Sequence, residues 1–158
     1  MRLFGLAFLL FAALLLSREY SRYVNKRIDE SMGFISFIKY MRLEMRCFLK
    51  PPREIGRGFC NDSIAPFLTA LESEDSLLSA YTVSESAFSL SVDERTVIEE
   101  LFRSVGVCYA EDGVRLIDGA LERLLELYER ELSDGRRGVR VFGTVSAAVS
   151  VGLFILLI

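Results

Sequence analysis

Carboxylates are the side chains whose grouping in this sequence could carry chemistry. Glu72, Glu74 and Asp75 form one cluster, Asp93, Glu94, Glu99 and Glu100 a second, and Glu122, Glu126 and Glu129 a third. Paired carboxylates serve as general acid and base, and groups of them hold divalent cations. The chain offers little to work beside them. It contains no histidine, which removes the commonest general base and the commonest metal ligand together. Cys47, Cys60 and Cys108 share no C-x-x-C spacing, so neither a zinc site nor a disulfide framework is indicated. The expectation is reduced, mostly packed thiols. No phosphate-cradling Gly-rich loop, G-x-S-x-G or H-E-x-x-H is present. The carboxylate clusters repeat at helical spacing beside Arg103, Arg123 and Arg130, the pattern of a solvated helix face. The reading is a chain with no catalytic residue, no cofactor and no metal site, and not an enzyme.

The elements that must position these groups read as helices throughout. Phe34, Ile38, Met41, Met45 and Phe48 step by four and three, so 30–49 is an amphipathic helix, stopped by Pro51-Pro52. It continues a preceding apolar run with little break, since 18–30 holds no Gly or Pro. A short helical piece is expected at 53–59, and another at 63–72 with Ser63 as N-cap and Pro66 in its first turn. A weaker, Ser-rich helix is expected over 75–90. Ser91-Val92-Asp93-Glu94 is a capping box that opens a firm helix to Val105, supported by a Glu99–Arg103 pair and ended by Gly106. Val114, Ile117, Leu121, Leu124 and Tyr128 mark the stripe of a long final helix, with a bend expected at Gly135 and Gly138. No segment alternates with a period of two, so the fold class is all-α, an antiparallel helical bundle.

Charge is sharply segregated along that bundle. Apolar residues make up 51% of the chain and charged residues 26%, yet no Asp, Glu, Lys or Arg lies within 3–17 or 141–158. The second run spans about 27 Å as a helix, close to a hydrocarbon core of ~30 Å; the first is shorter, about 22 Å. Arg18, Arg22, Lys26 and Arg27 follow the first run, and Arg136, Arg137 and Arg140 precede the second. Both flanks vote for a cytoplasmic middle. No small-x-small cleavage site ends the first run, which argues for a retained span over a cleaved signal. The expected organisation is a transmembrane helix at 1–18, a cytoplasmic helical bundle at 19–140 and a second transmembrane helix at 141–158.

Within the middle, 18–57 carries ten basic and five acidic residues, net +5, whereas 58–134 carries five basic and seventeen acidic, net −12. Two accounts stand. In one, the basic half meets anionic headgroups of membrane lipids while the acidic half faces water. In the other, Glu72, Glu74 and Asp75 belong to an acidic docking face for a basic partner. Nucleic acid is not indicated, because the basic residues hug the apolar runs and no aromatics are arranged for stacking.

Several short stretches carry a family likeness. Leu43-Glu44 followed by Pro51 and Glu54, Leu101 to Gly106, and Gly143 through Ile158 resemble the stage III sporulation protein AB family, and the likeness spans the whole chain. The chain departs from the family pattern in having no Trp, in Lys50-Pro51-Pro52-Arg53-Glu54, and in Tyr109-Ala110-Glu111-Asp112. The resemblance implies a helical domain similar to that of the inner-membrane platform protein of type II secretion and type IV pilus machines. It implies a structural role in the sporulation channel between mother cell and forespore, in the outer forespore membrane. The partners it implies are other channel subunits, including a hexameric ATPase; apart from the resemblance, a homo-oligomer is left open and no small-molecule substrate is expected. Pro51 and Glu54 carry over as a helix corner that shapes a docking surface. The alternative is a membrane-anchored helical adaptor or regulatory protein unrelated to sporulation.

Overall fold

The computed structural model describes residues 2–48, 52–56, 58–105 and 110–157; side chains are described for these except at 2–10, 13–14, 48, 52–53, 110–111 and scattered positions from 136 onward. Among the described residues every regular element is helical. They are α1 (Arg2–Phe48), α2 (Pro52–Gly56), α3 (Ala65–Ser73), α4 (Leu77–Ser84), α5 (Val92–Val105) and α6 (Ala110–Leu157), with 3-10 turns at Asp62–Ile64 and Glu85–Ala87. The chain divides into two compact units. Lys26–Glu129 forms a central unit, and Met1–Asn25 with Arg130–Ile158 forms an outer one.

The core of the central unit follows the predicted stripes. Phe34, Ile38, Met41 and Met45 of α1 are buried, with Ile35 and Phe37 beside them; so are Ile117, Leu121 and Leu124 of α6. Phe67 and Leu71 of α3, Leu77, Ala80 and Tyr81 of α4, and Ile98, Leu101, Phe102 and Val105 of α5 complete it. Its centre is aromatic. Phe67 stacks on Phe102 at 5.4 Å, and Phe34 meets Phe67, Tyr81 and Phe88 at 5.1–5.7 Å in tilted or edge-on contact, geometries that add to plain area burial. The Tyr81 hydroxyl is buried without a hydrogen-bond partner among the described residues. Burial, with the nearby Glu85 carboxylate adding to it, pushes this phenol well above its usual range.

Local signals are met with specific differences. The capping box forms as read: the Ser91 N–H donates to Glu94 Oε2 at 2.9 Å, and the Glu94 N–H donates to Ser91 Oγ at 3.3 Å. The Glu99–Arg103 pair closes at 2.6 Å. Ser63, however, is not a cap. Asn61 takes that place, its Oδ1 accepting from the Ser63 N–H at 2.9 Å, and α3 starts after the intervening 3-10 turn with Pro66 in its first turn. The helix expected over 75–90 is shorter. Ser76 caps it by accepting from the Ser79 N–H at 3.0 Å, and it ends at Ser84 in a 3-10 turn that leads to extended backbone at Phe88.

Each long helix runs unbroken, α1 for 47 residues and α6 for 48. Gly135 and Gly138 therefore do not interrupt α6. In the outer unit Gly138 serves close approach instead: a Cβ there would lie 2.8 Å from the Tyr20 hydroxyl. The two expected membrane spans at 1–18 and 141–158 find no support among the described residues, where no helix is long and apolar enough to cross a membrane. Most side chains of those two stretches lie outside the described residues. Within the outer unit those two stretches expose apolar side chains, Phe11, Leu15 and Leu16 on α1 and Val141, Val145 and Val149 at four-residue steps on α6, whereas 18–25 and 130–137 expose charged ones such as Arg18, Glu19, Arg22, Arg130 and Asp134.

Candidate interaction surface

Among the described residues the carboxylates meet three fates, and no group of three of them stands as a metal site. The first is burial. Glu94 is 1% exposed, not part of a solvated face as its spacing suggested. Besides closing the capping box, it accepts a hydrogen bond from the Ser31 hydroxyl of α1. Glu30 is buried likewise; its Oε2 accepts from the Ser89 N–H at 2.7 Å, and Lys26 stands 3.5 Å from its other oxygen. Arg95 completes the clasp, donating to the carbonyls of Leu90 at 3.1 Å and Phe88 at 2.8 Å and pairing with Glu85 at 3.0 Å. Together these groups satisfy the extended backbone between the 3-10 turn and α5, which would otherwise be costly to cover. Their task is structural.

The sequence did hold a signal for them. Glu30 sits four residues before Phe34, on the first step of the α1 stripe, and Glu94 sits four before Ile98 at the head of the α5 stripe. A carboxylate on an apolar stripe must find donors inside the fold or stay out of it. Glu44, three residues past Met41, is a third such case and is also buried.

The second fate is pairing at the surface. Arg42 Nε meets Asp118 Oδ1 at 2.5 Å, and Arg123 lies 3.9 Å from Glu100. Such exposed pairs contribute little to stability. The third fate is display, and it concerns the docking residues read from the sequence. Glu72 is exposed at the end of α3, Asp75 is exposed in the turn to α4, and Glu74 is partly covered. Glu74 is also employed: its Oε2 accepts from the Ser79 hydroxyl in the first turn of α4. Glu54 is exposed on α2. That helix packs closely against α3, for a Cβ at Gly56 would lie 2.2 Å from Leu71 Cδ2. The fold thus sets the helix of Glu54 beside the helix of Glu72, two positions eighteen residues apart in sequence. Pro51 lies outside the described residues.

Two open grooves flank α6 in the central unit. One lies against α5 between Val97, Leu101, Leu116 and Ala120, rimmed by Glu100, Arg115 and Arg123. The other lies against α1 between Leu43, Leu121 and Leu125. Neither gathers polar groups around an enclosed cavity, and no three Cys, Asp or Glu among the described residues stand as metal ligands. Cys47 and Cys60 are exposed and unpaired in disulfides, contrary to the packed thiols expected, and Cys108 lies outside the described residues.

The sequence matches no protein-family model and no curated protein. Among solved structures, the fold is similar to that of stage III sporulation protein AB (SpoIIIAB), with a TM-score of 0.56. The match is 15% identical and covers 70% of this chain and 97% of that one. The family likeness seen in short sequence stretches therefore extends to the backbone: this chain has the SpoIIIAB fold.

Proposed function

We propose that the chain is a membrane-embedded structural component of a multiprotein assembly, a platform that binds protein partners and performs no chemistry itself. The observation that carries this reading is how the two units dispose of their apolar residues. The central unit closes an aromatic core and spends its buried carboxylates on its own backbone. The outer unit turns Phe11, Leu15, Leu16, Val141, Val145 and Val149 outward. Helices bearing so much exposed apolar surface need lipid or a partner around them. The uncharged runs at 3–17 and 141–158, each flanked by arginines on the side of the central unit, favour lipid and a cytoplasmic central unit. The SpoIIIAB fold supports a place in a sporulation channel or a related secretion-like complex, with other membrane subunits and a cytoplasmic hexameric ATPase as partners.

In this reading Glu72 and Glu54, displayed on adjoining helices, offer the acidic edge to a basic partner, and Asp75 extends it. Glu74 instead holds the start of α4. The topology is tested by reporter fusions. A reporter after Ile158 is expected to score outside the cytoplasm and one inserted at 58–60 inside it; the opposite score at either site overturns the arrangement. For partner binding, Glu54→Lys with Glu72→Lys is expected to abolish capture of a basic partner at low salt while circular dichroism stays unchanged. Retention of every partner by that variant overturns the acidic edge.

A further inference from the structure

The α1–α6 face of the central unit carries charges that the chain itself does not use. The two helices run antiparallel there. Arg42 pairs with Asp118, and further along α1 Met45 lies against Gly113, further back along α6. The open groove between them is lined by Leu43, Leu121 and Leu125. Lys39, Arg42 and Arg46 form its α1 edge, and Asp118 and Glu122 its α6 edge. Leu43 is 55% exposed. Arg42 and Asp118 neutralise each other, whereas Lys39, Arg46 and Glu122 have no ion-pair partner among the described residues. Lys39 is three residues back from Arg42, about 4.5 Å, and Glu122 four beyond Asp118, about 6 Å in the same direction. They stand at nearly one height on opposite edges.

We propose that this face pairs with a second copy of the chain, about a two-fold axis running along the groove. Rotation about that axis exchanges the edges but preserves height, so Lys39 of each copy meets Glu122 of the other and the leucine floors face each other. An axis across the groove would set the basic α1 edge against its own copy, Lys39 of one facing Arg46 of the other, so the charge pattern selects the first arrangement. Any other occupant must present both signs, on two edges of an apolar line, at this spacing; a second copy does so by symmetry. The two α1 helices then run parallel. The inference does not rest on the membrane reading, since a free bundle with this face would pair in the same way.

The test is sedimentation equilibrium of the full chain in detergent at low salt. The parent is expected to dimerise. Lys39→Glu and Glu122→Lys are each expected to weaken the dimer by about tenfold or more, because each sets like charges opposite one another twice. The double variant is expected to recover the parent's affinity, and an equimolar mixture of the two single variants to form a heterodimer. Lys39→Gln and Glu122→Gln, which remove charge without reversing it, are expected to weaken it less. All these positions are exposed, so helicity should be unchanged. A monomeric parent, a dimer indifferent to the single reversals, or a double variant that stays dissociated each overturns the proposal. None of these outcomes touches the membrane reading, which has its own readout.

Discussion

α1 and α6 each take part in two units, and within one continuous helix they obey opposite rules. In 26–129 most of their large apolar side chains face inward: Phe34, Phe37, Ile38, Ile117 and Leu124 are at most 2% exposed, with Met32, Leu43 and Leu116 the outward exceptions among the described residues. In 1–25 and 130–158 the same helices turn Leu16 and Val145 outward, at 62% and 54%. A helix is indifferent to its surroundings along its axis, since its backbone bonds are internal throughout. Side chains alone decide what may lie against it. The lesson is that a change of environment along a helix need not be marked by any break in it. The glycines at 135 and 138 look like such a break and are not one.

The largest effect that would break this comparison lies in the aromatic core. Phe67→Ala should destabilise the central unit by about 3–5 kcal/mol in urea unfolding, because it leaves a cavity among four rings. Leu16→Ala, at an exposed position of the outer unit, should change the same transition by no more than about 0.5 kcal/mol. Equal effects would mean that the two units share one core.

A smaller effect separates buried from displayed carboxylates. Glu94→Ala strips acceptors from the Ser31 hydroxyl and the Ser91 N–H and should cost about 1–3 kcal/mol. Glu99→Ala breaks only an exposed i,i+4 pair and should cost less than about 0.5 kcal/mol. Glycine substitutions sharpen the contrast between units. Gly56→Ala drives a Cβ into buried Leu71 and should cost about 1–3 kcal/mol. Gly138→Ala meets the far end of the Tyr20 side chain and not a packed core residue; its gain in helix propensity, up to about 1 kcal/mol, offsets the shift of that hydroxyl, so the net change should be smaller than for Gly56→Ala.

The smallest effect is a pH dependence. Burial raises the folded pKa of Tyr81, so its contribution is fully present below the unfolded phenol value, about 10, and is lost as pH rises beyond it. The parent should therefore lose stability above about pH 10 more steeply than Tyr81→Phe does. Parallel curves for the two would contradict this.

Much of the architecture was legible because stripes such as Phe34–Ile38–Met41–Met45 and Ile117–Leu121–Leu124 report burial directly, and because Ser91-x-x-Glu94 carries its own geometry. The rest depends on polar contacts, local and long-range, that apolar periodicity does not report. That Asn61 rather than Ser63 caps the turn before α3 depends on a 3-10 turn with no apolar period to reveal it. That Glu94 reaches Ser31, sixty-three residues away, depends on a packing that spacing along one helix does not encode. Of the docking candidates, Glu54 and Glu72 came to lie on neighbouring helices, while Glu74 turned to a local hydrogen bond that its charge gave no hint of.

The central claim is that the outward apolar face of the outer unit lies in lipid. It is tested most directly by a spin label at Val145, introduced as Val145→Cys in a chain whose three cysteines are replaced by serine, reconstituted in bilayers. The account predicts a label readily relaxed by dissolved oxygen and shielded from a water-soluble nickel chelate, with the reverse for the same label at Glu72. A label at Val145 as open to the chelate as the one at Glu72 would contradict it.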